Sequence, residues 1–416
     1  MASPKPRVIL GLMTYGPREA SPDNRVTTVE EFQQHLSAFQ KSGYNELDTA
    51  RIYSMGKQEA FTAQAGWKES GFKIATKSYP RVPGAHSAAN LRNDLETSLA
   101  ELGTDCVDIF YLHSADRTIP FTETLEAANE LYKEGKFKQL GVSNFSAYEV
   151  AEVVMLCQAR GWVKPTIYQG VYNAITRNLE TEVVPACRRF GLEIVIFTPL
   201  GGGLLTGRYK SADDEEQSGR FSSSSFLGPI FRQMYFNDAL FKALDILRQA
   251  AERHSLTMPE VALRWVVHHS ALRFAKDGGN DGVIFGVSKI EQLHQNIADL
   301  EKGPLPEEVV KALDAAWIVA KGTSPNPWHT PLDQSSYSGG DGIEKSGCWD
   351  INVIVIMTTM PSSSELSLHV STGEPFKDTA EAKSFHVSSF SGGKALAQSE
   401  AFAAAHEAFV AGTSME

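Results

Sequence analysis

Four side chains in this sequence could together deliver a proton: Asp48, Tyr53, Lys77 and His113. A phenol has a pKa of about 10 and donates a proton poorly at neutral pH, but a neighbouring ammonium group lowers that pKa. Lys77 could supply the ammonium group, Asp48 could keep it charged and in place, and His113 could orient a substrate oxygen. Such a device suits an oxygen that gains charge, as when a carbonyl accepts hydride. Because no side chain donates hydride, a nicotinamide cofactor is implied.

Each of these residues also has an ordinary structural explanation. Asp48 could cap a turn or a helix, and Tyr53 could line a pocket. Lys77 could be a surface charge, and His113 could be an interior histidine with satisfied hydrogen bonds. For each residue alone the structural explanation is favoured. Their joint placement after three successive predicted strands favours the chemical one.

The predicted strands and helices that must position these residues alternate regularly. In each repeat, a short apolar run precedes an amphipathic helical stretch. Strands are predicted at residues 8–12, 46–48, 73–77, 107–112, 138–142, 167–169, 193–197 and 283–285. Helices are predicted at residues 28–43, 87–102, 122–134, 147–160, 180–190, 238–254, 258–268, 290–300 and 306–320, with one more through Glu59 and Trp67. This alternation predicts a parallel α/β sheet. Eight units favour a closed (β/α)8 TIM barrel over an open doubly wound sheet.

In such barrels, catalytic groups lie at the carboxyl ends of the strands. Asp48 and Lys77 end the second and third predicted strands, and His113 follows the fourth. Three later predicted strands carry further candidates at their carboxyl ends. Ser143 and Asn144 follow the fifth strand, Gln169 ends the sixth, and the aromatic Phe197 ends the seventh. We therefore expect all of these residues to converge on one mouth of the barrel.

Composition narrows the classes of function. The 416 residues are 42% hydrophobic and 21% charged, with a formal net charge of −11, which argues against nucleic-acid binding. No signal peptide or membrane-spanning run is recognised. The cysteines show neither CxxC spacing nor disulfide density; they are Cys106, Cys157, Cys187 and Cys348. These features predict a reduced, metal-free protein of the cytoplasm that binds neither nucleic acid nor membrane.

The sequence changes character towards its end. From about Thr330 the residues Ser, Gly and Asp dominate, and only a strand-like run at 352–357 and an Ala-rich helix at 396–410 stand out. We expect residues 1–329 to form the barrel and residues 330–416 to be a low-complexity or weakly folded extension. Deleting the residues after His329 should leave turnover intact, and a collapse of activity in that variant would contradict this division.

Several segments resemble the signature segments of aldo-keto reductases: LDTARIY (residues 47–53), IATKSYP (74–80), DIFYLHSAD (108–116) and GVSNFS (141–146). The closer resemblance is to the aflatoxin-aldehyde reductase subfamily. It rests on GLMTYG (11–16), YQGVYNAITRNLETEVVPACRRFGL (168–192), PLGGGLLTGRY (199–209), WVVHHSAL (265–272), GVSKIEQLHQN (286–296) and PNPWH (325–329). The resemblance covers residues 7–329 in order.

The resemblance implies a (β/α)8 barrel that binds NADPH without a Rossmann unit. By position, it makes Tyr53 the general acid, Lys77 the residue that lowers its pKa, and Asp48 the support of Lys77 and a cofactor contact. His113 would orient the carbonyl group of the substrate. The carboxamide of the nicotinamide would be held by Ser143, Asn144 and Gln169, with Phe197 stacked on the ring.

The remaining cofactor and substrate contacts also follow from the resemblance. Backbone N–H groups of residues 198–208 would wrap the pyrophosphate, with contacts at Pro199, Leu200, Gly201, Gly203, Leu204 and Arg208. The 2′-phosphate and adenine end would be bound by Arg220, Ser288, Gln292 and Asn296. The walls of the substrate pocket would be Met13, Tyr15, Tyr53 and Phe231, beside His113.

The sequence departs from the subfamily in three places. Met234 stands where the subfamily has the second of two arginines, and Trp328–His329 replaces an aromatic–Arg ending. If those arginines bind carboxylates, the preference for acidic aldehydes is lost. The insertion at residues 274–281 is expected only to lengthen a loop.

Three functions remain open on the sequence. The first is NADPH-dependent reduction of a small aldehyde or ketone by a protein that forms homodimers, as its relatives do. The second is a regulatory subunit on the same barrel, like the potassium-channel β subunits, that binds the cofactor as a sensor. The third is a tailoring enzyme that oxidises an aryl or polyketide alcohol. Retention of all four catalytic residue types argues against a purely structural role.

Overall fold

Eight parallel strands form a closed barrel in chain order in the computed structural model. The structure describes residues 4–211, 214, 219–225, 228–324 and 326, and three short strands further on. The barrel strands are β1 (Arg7–Gly11), β2 (Glu46–Asp48), β3 (Lys73–Ser78), β4 (Val107–Leu112), β5 (Phe137–Ser143), β6 (Ile167–Val171), β7 (Glu193–Phe197) and β8 (Gly282–Phe285). The predicted (β/α)8 barrel is confirmed.

Helices connect successive strands and lie outside the barrel. They are α1 (Val29–Lys41), α2 (Gln58–Gln64), α3 (Ala88–Leu102), α4 (Phe121–Lys133), α5 (Ala147–Arg160), α6 (Val183–Phe190), α7 (Gly228–Tyr235), α8 (Asp238–Arg253), α9 (Met258–His268), α10 (Ile290–Glu301) and α11 (Glu307–Ala320). Short 3-10 helices occur at Tyr53–Gly56, Asn178–Glu180, Gly201–Thr206 and Ala275–Asp277.

Local sequence explains where these helices begin and end. The Thr28 side chain accepts a hydrogen bond from the N–H of Glu31 at the start of α1, which satisfies a group that the helix leaves unpaired. Helices α3, α5 and α6 end at Gly103, Gly161 and Gly191, each in the left-handed conformation. Glycine adopts this conformation without steric cost, so the chain can turn back to the next strand.

The interior of the barrel is packed with side chains and forms the floor of the site. Its members are Ile9, Ala75, Ile109, Tyr111, Ile167, Val195 and Ile284. Tyr111 lies against Gly141, where an added Cβ would be 2.3 Å from the tyrosine ring. At the amino-terminal ends of the strands, Arg7 forms ion pairs with Glu46 and Glu193. The floor is therefore closed by apolar packing and, beneath it, by paired charges.

Four details differ from the prediction. Helix α7 lies between β7 and α8, where no helix was predicted, and α2 ends at Gln64, before Trp67. The predicted helix at residues 180–190 is divided into a 3-10 turn and α6. The Phe274–Asp281 insertion does more than lengthen a loop. Asp281 is 1% exposed, pairs with Arg188 and accepts the backbone N–H of Ile194 on β7.

The chain divides into two units, Met1–Ser338 and Gly339–Glu416. In the second unit, β9 (Ile356–Thr358), β10 (Ser367–His369) and β11 (Ser384–His386) form an antiparallel sheet with β10 in the centre. Strand β9 overlaps the predicted run at 352–357 by two residues, and the predicted helix at 396–410 lies outside the described residues. Within the described part of the chain, no helix is long and apolar enough to cross a membrane.

Candidate active site

The carboxyl ends of β2 and β3 bring three of the predicted catalytic residues together. The ammonium Nζ of Lys77 donates to Asp48 Oδ2 at 2.6 Å and to the carbonyl oxygen of Thr49 at 2.7 Å. The same nitrogen lies 3.4 Å from the hydroxyl of Tyr53. Lys77 is fully buried and Asp48 is 4% exposed, so water screens this pair of charges little. The ammonium group therefore bridges carboxylate and phenol.

A fourth side chain holds the carboxylate from the other side. Gln169 on β6 donates its Nε2–H to Asp48 Oδ1 at 2.8 Å. Both carboxylate oxygens of Asp48 thus accept hydrogen bonds, one from an ammonium and one from an amide. This fixes Asp48 and, through it, the position of Lys77.

The pKa of Tyr53 is determined by opposing effects. Burial raises the pKa, Lys77 and Arg220 lower it, and Asp48 raises it again; the net result is a pKa above the usual tyrosine value. Lys77 lowers the pKa as the sequence suggested, but it does not outweigh burial. For Lys77, Asp48 and Tyr53 outweigh burial and raise the pKa. The lysine is therefore cationic and the phenol protonated at neutral pH.

His113 lies beside the phenol at the end of β4. Its ring meets the Tyr53 ring edge-on, with centroids 6.0 Å apart. Burial, and then the charge of Lys77, lower the pKa of His113 well below its ordinary value, so the imidazole is neutral at neutral pH. Its buried Nδ1 has no hydrogen-bond partner among the described residues. A neutral imidazole can still donate one hydrogen bond to a substrate oxygen.

The residues expected to hold the nicotinamide lie on adjacent strands. Ser143 on β5 pairs in register with Gln169 on β6, and both are buried. Asn144 has a φ of +57°, and its amide donates to the carbonyl oxygen of His113 at 3.0 Å. Phe197 is half-buried at the end of β7. Amide and hydroxyl groups beside a flat apolar ring fit a carboxamide-bearing aromatic ring.

The glycine segment after β7 can be approached closely by a ligand at one position. Gly201, Gly202 and Gly203 have φ values of +58°, +68° and +112°, and a Cβ added to Gly203 would meet nothing within 4 Å. The N–H groups of Gly201 and Gly203, however, donate to Thr198 and Leu200 within the segment. These two N–H groups are therefore engaged in the structure, and wrapping a pyrophosphate with them requires the segment to change.

Four residues were predicted to bind the adenine end of the cofactor, and the structure places them in different surroundings. Ser288 and Gln292 are exposed at the start of α10, where the Ser288 N–H donates to Gln292 Oε1 at 2.8 Å. Asn296 is buried one turn further on. Arg220 lies beside Met13 Sδ at 4.0 Å and over the Phe231 ring at 5.1 Å. Met13 and Phe231 are predicted pocket walls, so these contacts associate Arg220 with the predicted substrate pocket, and its charge also lowers the pKa of Tyr53.

One predicted pocket residue is wrong. Tyr15 is fully buried in the core, where its ring packs against Phe32 and its hydroxyl hydrogen-bonds to His35 Nδ1 at 2.9 Å. His35 lies on α1, outside the barrel, so the Tyr15 hydroxyl is directed towards that helix and not into the mouth. Met13 and Phe231 are half-buried beside Arg220, as a pocket wall requires.

Two further residues near the site, Tyr79 and His86, were not predicted from the sequence. The Tyr79 ring meets the His113 ring edge-on, with centroids 5.3 Å apart, and Tyr79 follows Lys77 by two residues, a spacing that puts both on one side of a strand. His86 is buried and places its Nε2 3.1 Å from the carbonyl oxygen of Ser78, which also accepts the N–H of His113. No motif signalled His86, because its contact is to backbone.

The sequence predicted neither a metal site nor disulfides, and both predictions concern the His, Cys, Asp and Glu side chains. Among the residues that the structure describes, no group of three or more His, Cys, Asp or Glu side chains could hold a metal ion. The cysteines with free thiols there are Cys106, Cys157 and Cys187. Cys348, Trp328 and His329 lie outside the described residues.

Comparison with known proteins identifies the family of this chain. The model of the aldo/keto reductase family matches residues 7–318. An aldo-keto reductase of Pseudocercospora fijiensis is 46% identical over 291 residues, which are 69% of this chain and 97% of that protein. Human aldo-keto reductase family 7 member A3 is 40% identical over 332 residues, 77% of this chain and 97% of that protein. Human aflatoxin B1 aldehyde reductase member 2 is 41% identical over 335 residues, 78% of this chain and 90% of that protein. The chain therefore belongs to the aldo/keto reductase family, whose members act on carbonyl groups and generally use nicotinamide cofactors.

Proposed function

We propose that this protein is an NADPH-dependent reductase of small aldehydes or ketones, with Tyr53 as the proton donor. The observation that carries the proposal is the contact between Tyr53 and the buried Lys77, at 3.4 Å, with Asp48 2.6 Å from the same ammonium nitrogen. Its place at the carboxyl ends of the strands is where barrel enzymes perform catalysis. The name of one relative, human aflatoxin B1 aldehyde reductase member 2, supports the same reaction.

The side chains then act in a defined order on the carbonyl oxygen. His113, which is neutral, donates a hydrogen bond that orients the oxygen towards Tyr53. When bound, the cofactor supplies the hydride that the carbonyl carbon gains. As negative charge develops on the oxygen, the Tyr53 hydroxyl transfers its proton there and becomes a phenolate. The ammonium of Lys77 stabilises that phenolate, which is later reprotonated from solvent.

Several residues would hold the cofactor. Ser143, Asn144 and Gln169 would bind the carboxamide, and Phe197 would cover one face of the ring. The N-terminal end of α10, with its orphan N–H groups and helix dipole, favours a phosphate, and Ser288 and Gln292 stand there. Arg220, the nearby cation without an ion pair among the described side chains, supplies positive charge on the substrate side. The features at the start of α10 favour NADPH over NADH, because only NADPH carries the additional 2′-phosphate.

A substrate panel tests this function directly. The purified full chain is given 2-nitrobenzaldehyde, 9,10-phenanthrenequinone or a carboxylated aldehyde, with NADPH and NADH in parallel, and cofactor oxidation is followed. We expect turnover of the uncharged carbonyls with NADPH and a lower kcat/KM with NADH. We also expect weaker turnover of the carboxylated aldehyde, because Met234 replaces an arginine. Binding of NADPH without oxidation by any carbonyl would instead indicate a cofactor-sensing subunit.

A further inference from the structure

The turn that follows Tyr53 has an unusual backbone. Ser54, Met55 and Gly56 are all left-handed, with φ values of +49°, +53° and +83°. Two of the three carry a Cβ, and residues with a Cβ enter this region at a steric cost. Such a turn persists only where its surroundings hold it. Because the turn starts directly after the phenol-bearing residue, its shape affects where the Tyr53 hydroxyl lies.

The Arg51 side chain forms hydrogen bonds that hold this turn in place. Its Nη2 donates to the carbonyl oxygen of Gly56, and its Nη1 donates to Glu59 Oε2. The same Nη1 lies 2.9 Å from Glu101 Oε2. The guanidinium group is 12% exposed, and a Cβ added at Gly56 would be 2.9 Å from Arg51 Nη2. The turn therefore fits closely around the guanidinium group.

The same residue is joined to the strand that carries Lys77. The N–H of Arg51 donates to the carbonyl oxygen of Lys77 at 3.0 Å. Glu59, which is 1% exposed, accepts the Thr76 hydroxyl at 2.5 Å. Arg51 thus contacts the turn next to the phenol and, directly and through Glu59, the strand next to the ammonium group.

We infer that Arg51 is a positioning residue: its guanidinium group maintains the left-handed turn and so keeps the Tyr53 hydroxyl within reach of Lys77. The inference rests on the proposed role of Tyr53 as proton donor. It extends that role to a residue that acts through the phenol. Misplacing a reacting group by about 1 Å can cost about 100-fold in rate, so the loss should fall on kcat.

The first test compares Arg51→Met with the double variant Arg51→Met/Glu59→Gln in the full chain. Arg51→Met should lower kcat by about 10- to 100-fold, with little change in KM or in NADPH affinity measured by fluorescence quenching. It should also lower the Tm, because Glu59 is left buried without its cation. The double variant removes that charge and should regain Tm but not kcat. Recovery of kcat together with Tm would overturn the inference.

A second test determines whether Arg51 acts by maintaining the left-handed conformation of the turn. Met55 is 54% exposed, so it can be replaced without opening the core. Asparagine enters the left-handed region more readily than methionine. Adding Met55→Asn to Arg51→Met should therefore raise kcat several-fold above that of Arg51→Met alone. An unchanged kcat would mean that Arg51 does not act through the conformation of this turn.

A third test separates this inference from the proposed function. In a Tyr53→Phe background, Arg51→Met should cause no further loss of kcat, because the group that it positions is gone. If Tyr53→Phe alone keeps full activity, the proposed function fails. If Tyr53→Phe loses activity and Arg51→Met still adds its full loss, the proposed function stands and the positioning role is wrong.

Discussion

Replacing Tyr53 with phenylalanine should lower kcat for carbonyl reduction by about 10²- to 10⁴-fold, the usual contribution of a general acid. The variant removes one oxygen and keeps the ring that packs beside His113. NADPH binding, followed by fluorescence quenching, should survive, since the Tyr53 hydroxyl is not among the proposed cofactor contacts. Stopped-flow reduction of 2-nitrobenzaldehyde would measure the loss.

Tyr15→Phe provides the matched control. It makes the same chemical change at a phenol that lies in the core, where its hydroxyl contacts His35. We expect a modest loss of stability and an unchanged kcat. Full activity in Tyr53→Phe, or an equal loss of kcat in both variants, would refute the assignment of Tyr53 as the acid.

The second large effect concerns Lys77. Lys77→Met should reduce kcat strongly, because no ammonium group is left to stabilise the phenolate that forms on Tyr53. It should also destabilise the fold by about 3–5 kcal/mol, because the buried carboxylate of Asp48 loses its cation. The free energy of unfolding can be obtained from urea titration and kcat from the same preparation.

A double variant distinguishes catalysis from stability in this pair. Asp48→Asn combined with Lys77→Met removes both charges and keeps the shape of the carboxylate side chain. Most of the lost stability should return, since replacing both members of a buried pair is often neutral. The kcat should stay low. If kcat returned along with stability, Lys77 would serve only to neutralise Asp48.

Much of the fold and the core of the site could be predicted because they depend on local patterns. Each strand is a short apolar run, and parallel strands bring their carboxyl ends to one mouth. Asp48 and Lys77 therefore had to approach each other once β2 and β3 were recognised as neighbours. The 2.6 Å contact between them follows from that topology.

Two predictions were wrong because they depended on contacts between residues that are distant in sequence. Tyr15 was predicted to line the pocket. Its hydroxyl instead hydrogen-bonds to His35, twenty residues further along the chain, and its side chain is buried in the core. Asp281 appeared to be part of a polar insertion, yet its carboxylate pairs with Arg188. Both partners lie far away in sequence, and no local signal identifies them.

The pKa of Tyr53 illustrates a further limit. The sequence supplied the cation that lowers this pKa, but it could not supply the extent of burial, which raises the pKa more than Lys77 lowers it. The role of Arg51 was equally hidden. It depends on two non-glycine residues in left-handed conformation, and neither Ser54 nor Met55 signals such a turn by its residue type.

In the proposed reaction the Tyr53 hydroxyl gives its proton to the substrate. Reduction needs the protonated phenol, so activity is full below the pKa of Tyr53 and is lost as pH rises through it. The most direct measurement is the pH profile of kcat/KM after replacement of Tyr53 with a ring-fluorinated tyrosine, a more acidic phenol of nearly the same size. We expect the alkaline limb to move to lower pH as fluorination increases. An alkaline limb that stays in place would contradict it.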